Sequence, residues 1–316
     1  MGRGITICGG GPKYLPCVWV AVNMLRRVGC TLPIQLWHLG RAELPVQFEE
    51  ILKPLGVECV DAHLIRQNRP ARILNGWELK PYAILNSRFA EVMALDADNI
   101  PVRDPTYLFD CPEYVATGAI FWPDYERLEA SRKIWNLTGV EYRDEPEFET
   151  GQIVIDKRKC FAALSLTMLM NEHSDFWYHH IHGDKETFHM AWRKLDQPYA
   201  MPTRGIHTLT STMCQHDFHG DRVFQHRNLQ KWCLCDNPRI PGFMFEQECI
   251  DMILAAQSKL TDMLGLPEPR QDEADDLAGH ECEYERVGYD MRRIFLAADG
   301  TINPGGEGME RSWTVI

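Results

Sequence analysis

Residues 4–39 read GITICGGGPKYLPCVWVAVNMLRRVGCTLPIQLWHL. Gly4–Cys8 is a short apolar run that ends in Gly9-Gly10-Gly11-Pro12. From Pro16 to Val28 the apolar residues Val20, Met24, Leu25 and Val28 recur at helical spacing, and Pro33–Leu39 is a second strand-like run. Strand, glycine turn, helix and strand in this order predict a β-α-β unit. The pattern continues outward. Phe48–Leu52 reads as a short helix and Val57–Val60 as a third strand. Trp77–Leu85 is helical with Pro81 near its first turn, and Glu91–Leu95 is a buried strand running into Asp96-Ala97-Asp98-Asn99. Regular alternation of this kind predicts a parallel or mixed sheet with helices on its faces.

The second half changes character. Gly118–Trp122, Gln152–Ile155 and Arg222–Gln225 are strand candidates, and Phe161–Met170 is a helix. Asp184–Leu195 is an amphipathic helix with Phe188, Ala191, Trp192 and Leu195 on its apolar face. Residues 267–281 are acidic and poor in apolar side chains, which predicts a linker or surface loop. Arg293–Ala297 and Thr301–Ile302 flank Ala298-Asp299-Gly300, a hairpin signal, and Arg311–Ile316 reads as one more strand.

The 316 residues carry 33 Lys+Arg against 45 Asp+Glu, a formal charge of −12. That balance argues against a general binder of nucleic acid or anionic membranes. Hydrophobic residues at 45% and charged residues at 25% are ordinary for a globular chain and exclude wholesale disorder. The longest apolar stretches, Tyr14–Leu25 and Cys160–Met170, fall short of the roughly 18 residues a bilayer span needs. No signal peptide is read at the N-terminus, so the expected compartment is the cytoplasm. The 11 cysteines are scattered; Cys8, Cys17, Cys30 and Cys59 sit in apolar segments and read as buried reduced thiols.

Leu95-Asp96-Ala97-Asp98-Asn99 carries the sharpest chemical signal. A strand directs residues i and i+2 to one face, so both carboxylates can converge at its carboxyl end. Converging carboxylates repel unless a cation lies between them, and a hard divalent ion such as Mg²⁺ or Mn²⁺ suits oxygen ligands. The competing reading is a turn capped by two aspartates.

Other segments add candidates. Gly9, Gly10 and Gly11 either let the backbone approach a ligand, with Lys13 reaching a phosphate, or simply make a tight turn. Neither G-x-x-x-x-G-K nor G-x-G-x-x-G is present. Tyr14 can stack on a base or fill the core, and Lys80 can meet a phosphate or stay solvated. Glu147-Phe148-Glu149-Thr150-Gly151-Gln152 leads a strand with groups that could grip sugar hydroxyls. His182-Gly183-Asp184-Lys185-Glu186-Thr187 opens a helix, where Asp184 is an N-cap candidate and a helix start favours anions. His226 closes a strand, and Lys231-Trp232 follows five residues on. A neutral imidazole there could be a third metal ligand, with Lys231 on a phosphate.

The runs GRGITICGGGPKYLPCVWVAVNMLRRVGCTLPIQLWHLG, GWELKPYAIL, EVMALDADNIPVRDPTYLF, GAIFWPDY, EFETGQIVIDK and HIHGDKETFHMAW occur in this order. Together they resemble the α-mannosyltransferase group that includes the fungal α-1,3-mannosyltransferases, glycosyltransferase family 71, over roughly Gly4 to Trp232. The resemblance implies a GT-A-like α/β fold, a Rossmann-like mixed sheet flanked by helices. To this fold the chain adds a small C-terminal β-hairpin extension. It implies a nucleotide-sugar donor, a glycan acceptor and Mn²⁺ or Mg²⁺. Asp96, Ala97 and Asp98 resemble the metal- and diphosphate-binding motif. His226 with Lys231-Trp232 resembles the late His…Lys-Pro-Trp element of glycogenin-like enzymes, one residue shorter and without the proline; His216 is the fallback ligand. Gly9, Gly10, Gly11, Lys13, Tyr14, Lys80 and Lys231 fall to the donor nucleotide. Gly151, Gln152, Lys185 and Trp122 fall to the sugar pocket.

The domain reading is a transferase domain over 1–265, with a donor half to about 115 and an acceptor half beyond it. An acidic linker over 266–281 and a hairpin tail over 282–316 follow. The expected reaction moves a sugar from a nucleoside diphosphate to a hydroxyl with retention, and Asp184, Glu186 or Glu149 steadies the cationic sugar centre. Inversion with a carboxylate base stays open. A metal-dependent phosphoester hydrolase and a non-catalytic nucleotide-sugar or glycan-binding module are the competing classes.

Overall fold

The computed structural model describes residues 2–234, 236–264, 278–286, 290–298 and 302. Two compact units divide the chain, Met1–Leu260 and Thr261–Ile316. In the first, β1 (Arg3–Cys8) turns through glycines into α1 (Gly11–Arg27) and then β2 (Ile34–His38). Next come α2 (Val46–Leu52), β3 (Val57–Asp61), α3 (Ala62–Arg66), α4 (Leu79–Asn86) and β4 (Glu91–Asp96). After β4 the chain forms β5 (Asn99–Pro101), α5 (Pro112–Thr117), β6 (Ala119–Pro123), α6 (Ile134–Thr138) and β7 (Phe148–Asp156). It continues with α7 (Phe161–Glu172), α8 (Ser174–Trp177), α9 (Asp184–Lys194), β8 (His207–Leu209), β9 (Thr212–His216), β10 (Arg222–His226) and α10 (Glu246–Leu264), whose last turn runs past Leu260.

The main sheet has the order β3-β2-β1-β4-β7-β6. Its first four strands are parallel, and β7 runs antiparallel between β4 and β6. This is the mixed, helix-flanked α/β sheet the alternating pattern predicts. The residues of β2, β6 and β7 are all buried, which is why these strands lack a polar alternation. Between β7 and α9 lies an aromatic core in which Phe121 stacks on Phe148 at 4.1 Å and Trp192 meets Phe121 edge-on at 5.0 Å.

A second, antiparallel sheet has the order β5-β10-β9-β8. The chain leaves the main sheet at Asp96 and enters the small one at Asn99, so Ala97 and Asp98 form the step between two sheets. In the small sheet His226 pairs with Asn99.

Eight numbered elements of this unit have no counterpart in the sequence reading: the short α3, α5, α6, α8, β5, β8 and β9, and the long α10. α10 turns Cys249, Ile253, Ala256 and Leu260 inward at helical spacing, and its Met252 carbonyl accepts from Trp19 Nε1 at 3.0 Å. Helix α1 begins five residues before the apolar stripe, because Pro12 fits the first helical turn. Cys17 and Cys30 are buried thiols, and burial is the first cause raising both. Among the described residues, no helix is long and apolar enough to cross a membrane.

In the second unit β11 (His280–Arg286) pairs antiparallel with β12 (Asp290–Leu296), and a bridge joins Leu296 to Ile302. Most of the acidic stretch, the dipeptide Asp299-Gly300 and the strand expected at Arg311–Ile316 lie outside the described residues.

One half-buried carboxylate ties the approach to β7 to α9. Glu145 Oε1 lies 2.9 Å from Arg193 Nη1 and 3.0 Å from His189 Nε2, and its Oε2 accepts from Tyr199 Oη at 2.7 Å. Burial alone would raise Glu145; the hydrogen bonds from His189, Tyr199 and Arg193 outweigh it and bring its pKa down from about 4.5 to about 2. A depressed carboxylate stabilises the fold above its unfolded value, and that contribution is lost as pH falls toward the folded one. Glu145→Gln is expected to lower unfolding free energy by about 2 kcal/mol near neutrality, with the gap to wild type closing below about pH 4. Urea denaturation of both proteins across that range measures it; a gap independent of pH would contradict the assignment.

Candidate active site

Asp96 ends β4 and Asp98 sits on the step into β5, so the pair stands at the carboxyl edge of the main sheet. His226, the last residue of β10, reaches the same point. Its Nε2 is 3.2 Å from Asp98 Oδ1 and 3.9 Å from Asp96 Oδ2. One ligand atom from each of the three residues lies within 4.8 Å of the others. Two carboxylate oxygens and one imidazole nitrogen suit Mn²⁺, and Mg²⁺ less so because it favours oxygen. The donor set therefore fits a divalent ion, with Asp96, Asp98 and His226 as the residues that would hold it.

Two lysines flank the triad. Lys80 Nζ is 2.9 Å from Asp96 Oδ1 and 3.2 Å from Asp184 Oδ2, and it donates to the Thr150 carbonyl at 3.0 Å. Lys231 Nζ is ion-paired with Asp98 Oδ2. Burial would lower both lysines; Asp184 and Asp96 around Lys80, and Asp98 beside Lys231, outweigh it and raise them. For Asp98, burial pushes the pKa up, but His226 and Lys231 prevail and hold it well below the usual carboxylate range. Burial likewise opposes charge on His226, yet Asp98 and Glu149 raise it to about 10. Acidic and basic side chains thus alternate through the cluster, each within ion-pair distance of a group of the opposite kind.

A buried network fixes the imidazole. Glu149 Oε1 lies 3.3 Å from His226 Nδ1, close enough for charge attraction although off the hydrogen-bonding direction. The same carboxylate accepts from the Gly151 amide at 2.9 Å and from Gln152 Nε2 at 2.5 Å. Asn99 Nδ2 donates to the Gly151 carbonyl at 2.9 Å and to Gln152 Oε1 at 2.6 Å. Gly151 is required by close approach, since a Cβ there would fall 2.5 Å from His226 Nδ1. These contacts give Glu149, Gly151 and Gln152 a supporting place behind His226 rather than the sugar-facing one expected for them. Gln152 is fully buried and presents no surface to a ligand.

Other expected residues are also relocated. Trp122 is fully buried, with Nε1 donating to the His216 carbonyl at 2.7 Å, so its indole is core and not pocket wall. Lys185 is held by Asp124 at 2.5 Å and Glu147 at 2.8 Å, away from the triad's carboxylates. Glu186 is buried and accepts from the His182 amide at 3.1 Å. Of the three carboxylates proposed to face the sugar, Asp184 is the one that shares Lys80 with Asp96. His216 pairs with Arg222 at the far end of the β9–β10 hairpin from His226, which removes it as a fallback ligand. The Gly9 and Gly11 amides donate to the Trp37 and Glu43 carbonyls, so the glycine run is a tight turn and these amides are not aimed at an anion. Ala97 packs beside it, 3.2 Å from where a Gly9 Cβ would stand. The cations nearest this turn do remain: Lys13 Nζ lies 5.8 Å and Lys231 Nζ 5.3 Å from the Tyr14 ring centre. Burial first, then repulsion from Lys231, lowers the Lys13 pKa, as expected where two cations share a place that suits an anion.

Sequence reading missed Asn99, Thr150 and Arg227. Arg227 is fully buried; its amide donates to the Asp98 carbonyl at 3.0 Å, its guanidinium lies 4.1 Å from the Trp232 ring centre, and Nη2 donates to the Pro238 carbonyl at 2.9 Å. It holds the loop that delivers Lys231. Its adjacency to His226 was the available signal, but an arginine after a strand reads as solvated.

A strand-edge carboxylate pair with an imidazole thus offers three ligand atoms that could hold a metal ion, with a lysine beside each aspartate. The family model described as "Mannosyltransferase putative" matches residues 2–147 and 140–226. The chain belongs to this mannosyltransferase family. Alpha-1,2-mannosyltransferase MNN24 of Candida albicans is 29% identical over 266 residues, 69% of this chain and 37% of that protein. Alpha-1,2-mannosyltransferase MNN2 of Saccharomyces cerevisiae is 26% identical, over 73% of this chain and 46% of that one. The chain thus spans less than half the length of these relatives, and their names carry an α-1,2 linkage. Among solved structures, galactosyltransferase LgtC with donor and acceptor sugar analogues superposes with a TM-score of 0.44 at 13% identity, over 85% of this chain and 99% of that one. The glycosyltransferase GlyE of Streptococcus pneumoniae TIGR4 gives 0.43 at 18% identity, over 64% and 46%.

Gly151→Ala is expected to displace the His226 ring and weaken Mn²⁺ binding at least tenfold while the fold is kept. Titration calorimetry with Mn²⁺, beside circular dichroism, tests it. Wild-type affinity in the variant would show that the Gly151–His226 contact does not position a ligand.

Proposed function

We propose that the chain is a metal-dependent mannosyltransferase domain, transferring a hexose from a nucleoside diphosphate sugar, GDP-mannose first among donors, to a hydroxyl of a glycan in glycan biosynthesis. The observation that carries this reading is the convergence of Asp96, Asp98 and His226 with one lysine on each carboxylate, in a chain of the mannosyltransferase family.

A bound Mn²⁺ would neutralise charge growing on the departing diphosphate. The chain's own residues do the rest. Lys13 and Lys231 supply positive charge around Tyr14, where a diphosphate and its base are accommodated. Lys80 bridges Asp96 to Asp184 and so sets the Asp184 carboxylate beside the donor sugar. In the retaining route the family resemblance suggests, the bond from the sugar's anomeric carbon to the phosphate oxygen breaks. The bond to the acceptor oxygen then forms on the same face, and the acceptor proton passes to the leaving phosphate oxygen. Asp184, which burial lifts and Lys80 lowers, is our candidate for the carboxylate that steadies the developing cation.

Two experiments test the reading. A thermal-shift screen of GDP-mannose, GDP-fucose, UDP-glucose and UDP-galactose, with Mn²⁺ or with EDTA, is expected to show stabilisation by one donor only when Mn²⁺ is present. Asp96→Ala and Asp98→Ala should abolish that shift. Metal-indifferent binding in both variants would instead favour a non-catalytic module, and nucleotide release at an unchanged rate with and without acceptor would favour a hydrolase. Asp184→Asn is expected to lower kcat by about 100-fold or more, with the donor-induced shift retained; NMR of the product's anomeric proton reads the stereochemistry.

A further inference from the structure

Trp77 lies in the short turn Gly76–Glu78 that precedes α4, three residues before Lys80. Its side chain is 51% exposed, unusual for the largest apolar residue. The indole nevertheless has a built seat. A Cβ on Gly183 would fall 2.8 Å from Trp77 Cε3 and 3.2 Å from Cζ3. Gly183 has φ 167°, extended backbone open to any residue, so the close approach of the indole and not backbone conformation calls for glycine there. Gly183 immediately precedes Asp184. The Tyr178 ring stands 5.9 Å from the indole at 60°, extending the aromatic surface.

The contacts of the site form a line. Tyr14 lies by Lys231, Lys231 on Asp98, Asp98 against His226 and then Asp96, Asp96 on Lys80, Lys80 on Asp184, and Gly183 under Trp77. The Tyr14 end carries Lys13 and Lys231 and suits an anion. At the Trp77 end the nearest cation of this line, Lys80, is shared by two carboxylates, whereas two lysines stand by Tyr14 at the other end. A neutral ligand with an apolar face suits that end. A hexopyranose has such a face of C–H groups, which packs on the electron-rich face of an aromatic ring.

We infer that Trp77, extended by Tyr178, is the platform on which a pyranose unit of the acceptor glycan packs. This rests on the reading of Asp96, Asp98 and His226 as the donor end of the site. Trp77 sets acceptor affinity and takes no part in donor binding.

The test uses the full chain and two readouts. Saturation-transfer difference NMR with methyl α-D-mannopyranoside, in the presence of GDP and Mn²⁺, is expected to give a signal in wild type and Trp77→Phe that is lost in Trp77→Ala. In transfer assays Trp77→Ala should raise the acceptor KM about tenfold, a typical aromatic contribution, with kcat and the donor KM within twofold of wild type. Equal mannoside signals in wild type and Trp77→Ala, or a loss confined to kcat, would overturn the platform. Stabilisation by GDP and Mn²⁺ is measured in the same samples. Its absence in wild type would overturn the transferase reading instead, and the mannoside signals still decide the platform on their own.

Discussion

The antiparallel pairing of β5 with β10 is the constraint on which the site depends. β5 has only three residues, Asn99–Pro101, yet it draws the chain from the main sheet into the small one directly after the aspartates. Register then puts His226 opposite Asn99, within ion-pair distance of Asp98. The loop that follows β10 is fastened by Arg227 to the Asp98 carbonyl and brings Lys231 onto the Asp98 carboxylate. Residues more than 120 positions apart therefore meet through three ladder pairs and one buried guanidinium.

Buried charge explains why the surroundings are so fully engaged. Removing carboxylates, lysines and an imidazole from water is costly unless each finds opposite charge and hydrogen bonds. Lys80 satisfies Asp96 and Asp184 together; Lys231 and His226 satisfy Asp98; Glu149 attracts His226 from behind. Such a cluster is preorganised, since each group is restrained by another that cannot move without exposing charge. It also leaves the ends of the line distinct, cationic at Lys13 and Lys231 and aromatic at Trp77.

Much of the architecture was legible. Periodicity located β1 to β4, β7, α7 and α9, because long apolar stripes and runs leave a clear signature. It passed over α10, whose Glu246–Leu264 segment mixes charged and apolar residues, and over β5, too short to show any period. In the site, Asp96 and Asp98 stood out because their spacing of two is itself a geometric statement about a strand. Trp122, Gln152 and Lys185 were placed in a pocket by motif likeness and, for the last two, by the polarity of their segments; burial and ion pairing put them elsewhere.

What the sequence by itself determined was the alternating α/β class, the family, and the carboxylate pair at a strand end, all properties of local spacing and ordered motifs. Only the tertiary structure decided which histidine joins the aspartates, that Glu149 and Gly151 stand behind it, and that Trp77 lies against the residue before Asp184. The reason is physical. Those meetings are set by strand register between distant segments and by the space a missing Cβ leaves, and neither quantity is written in the spacing of residues along one stretch of chain.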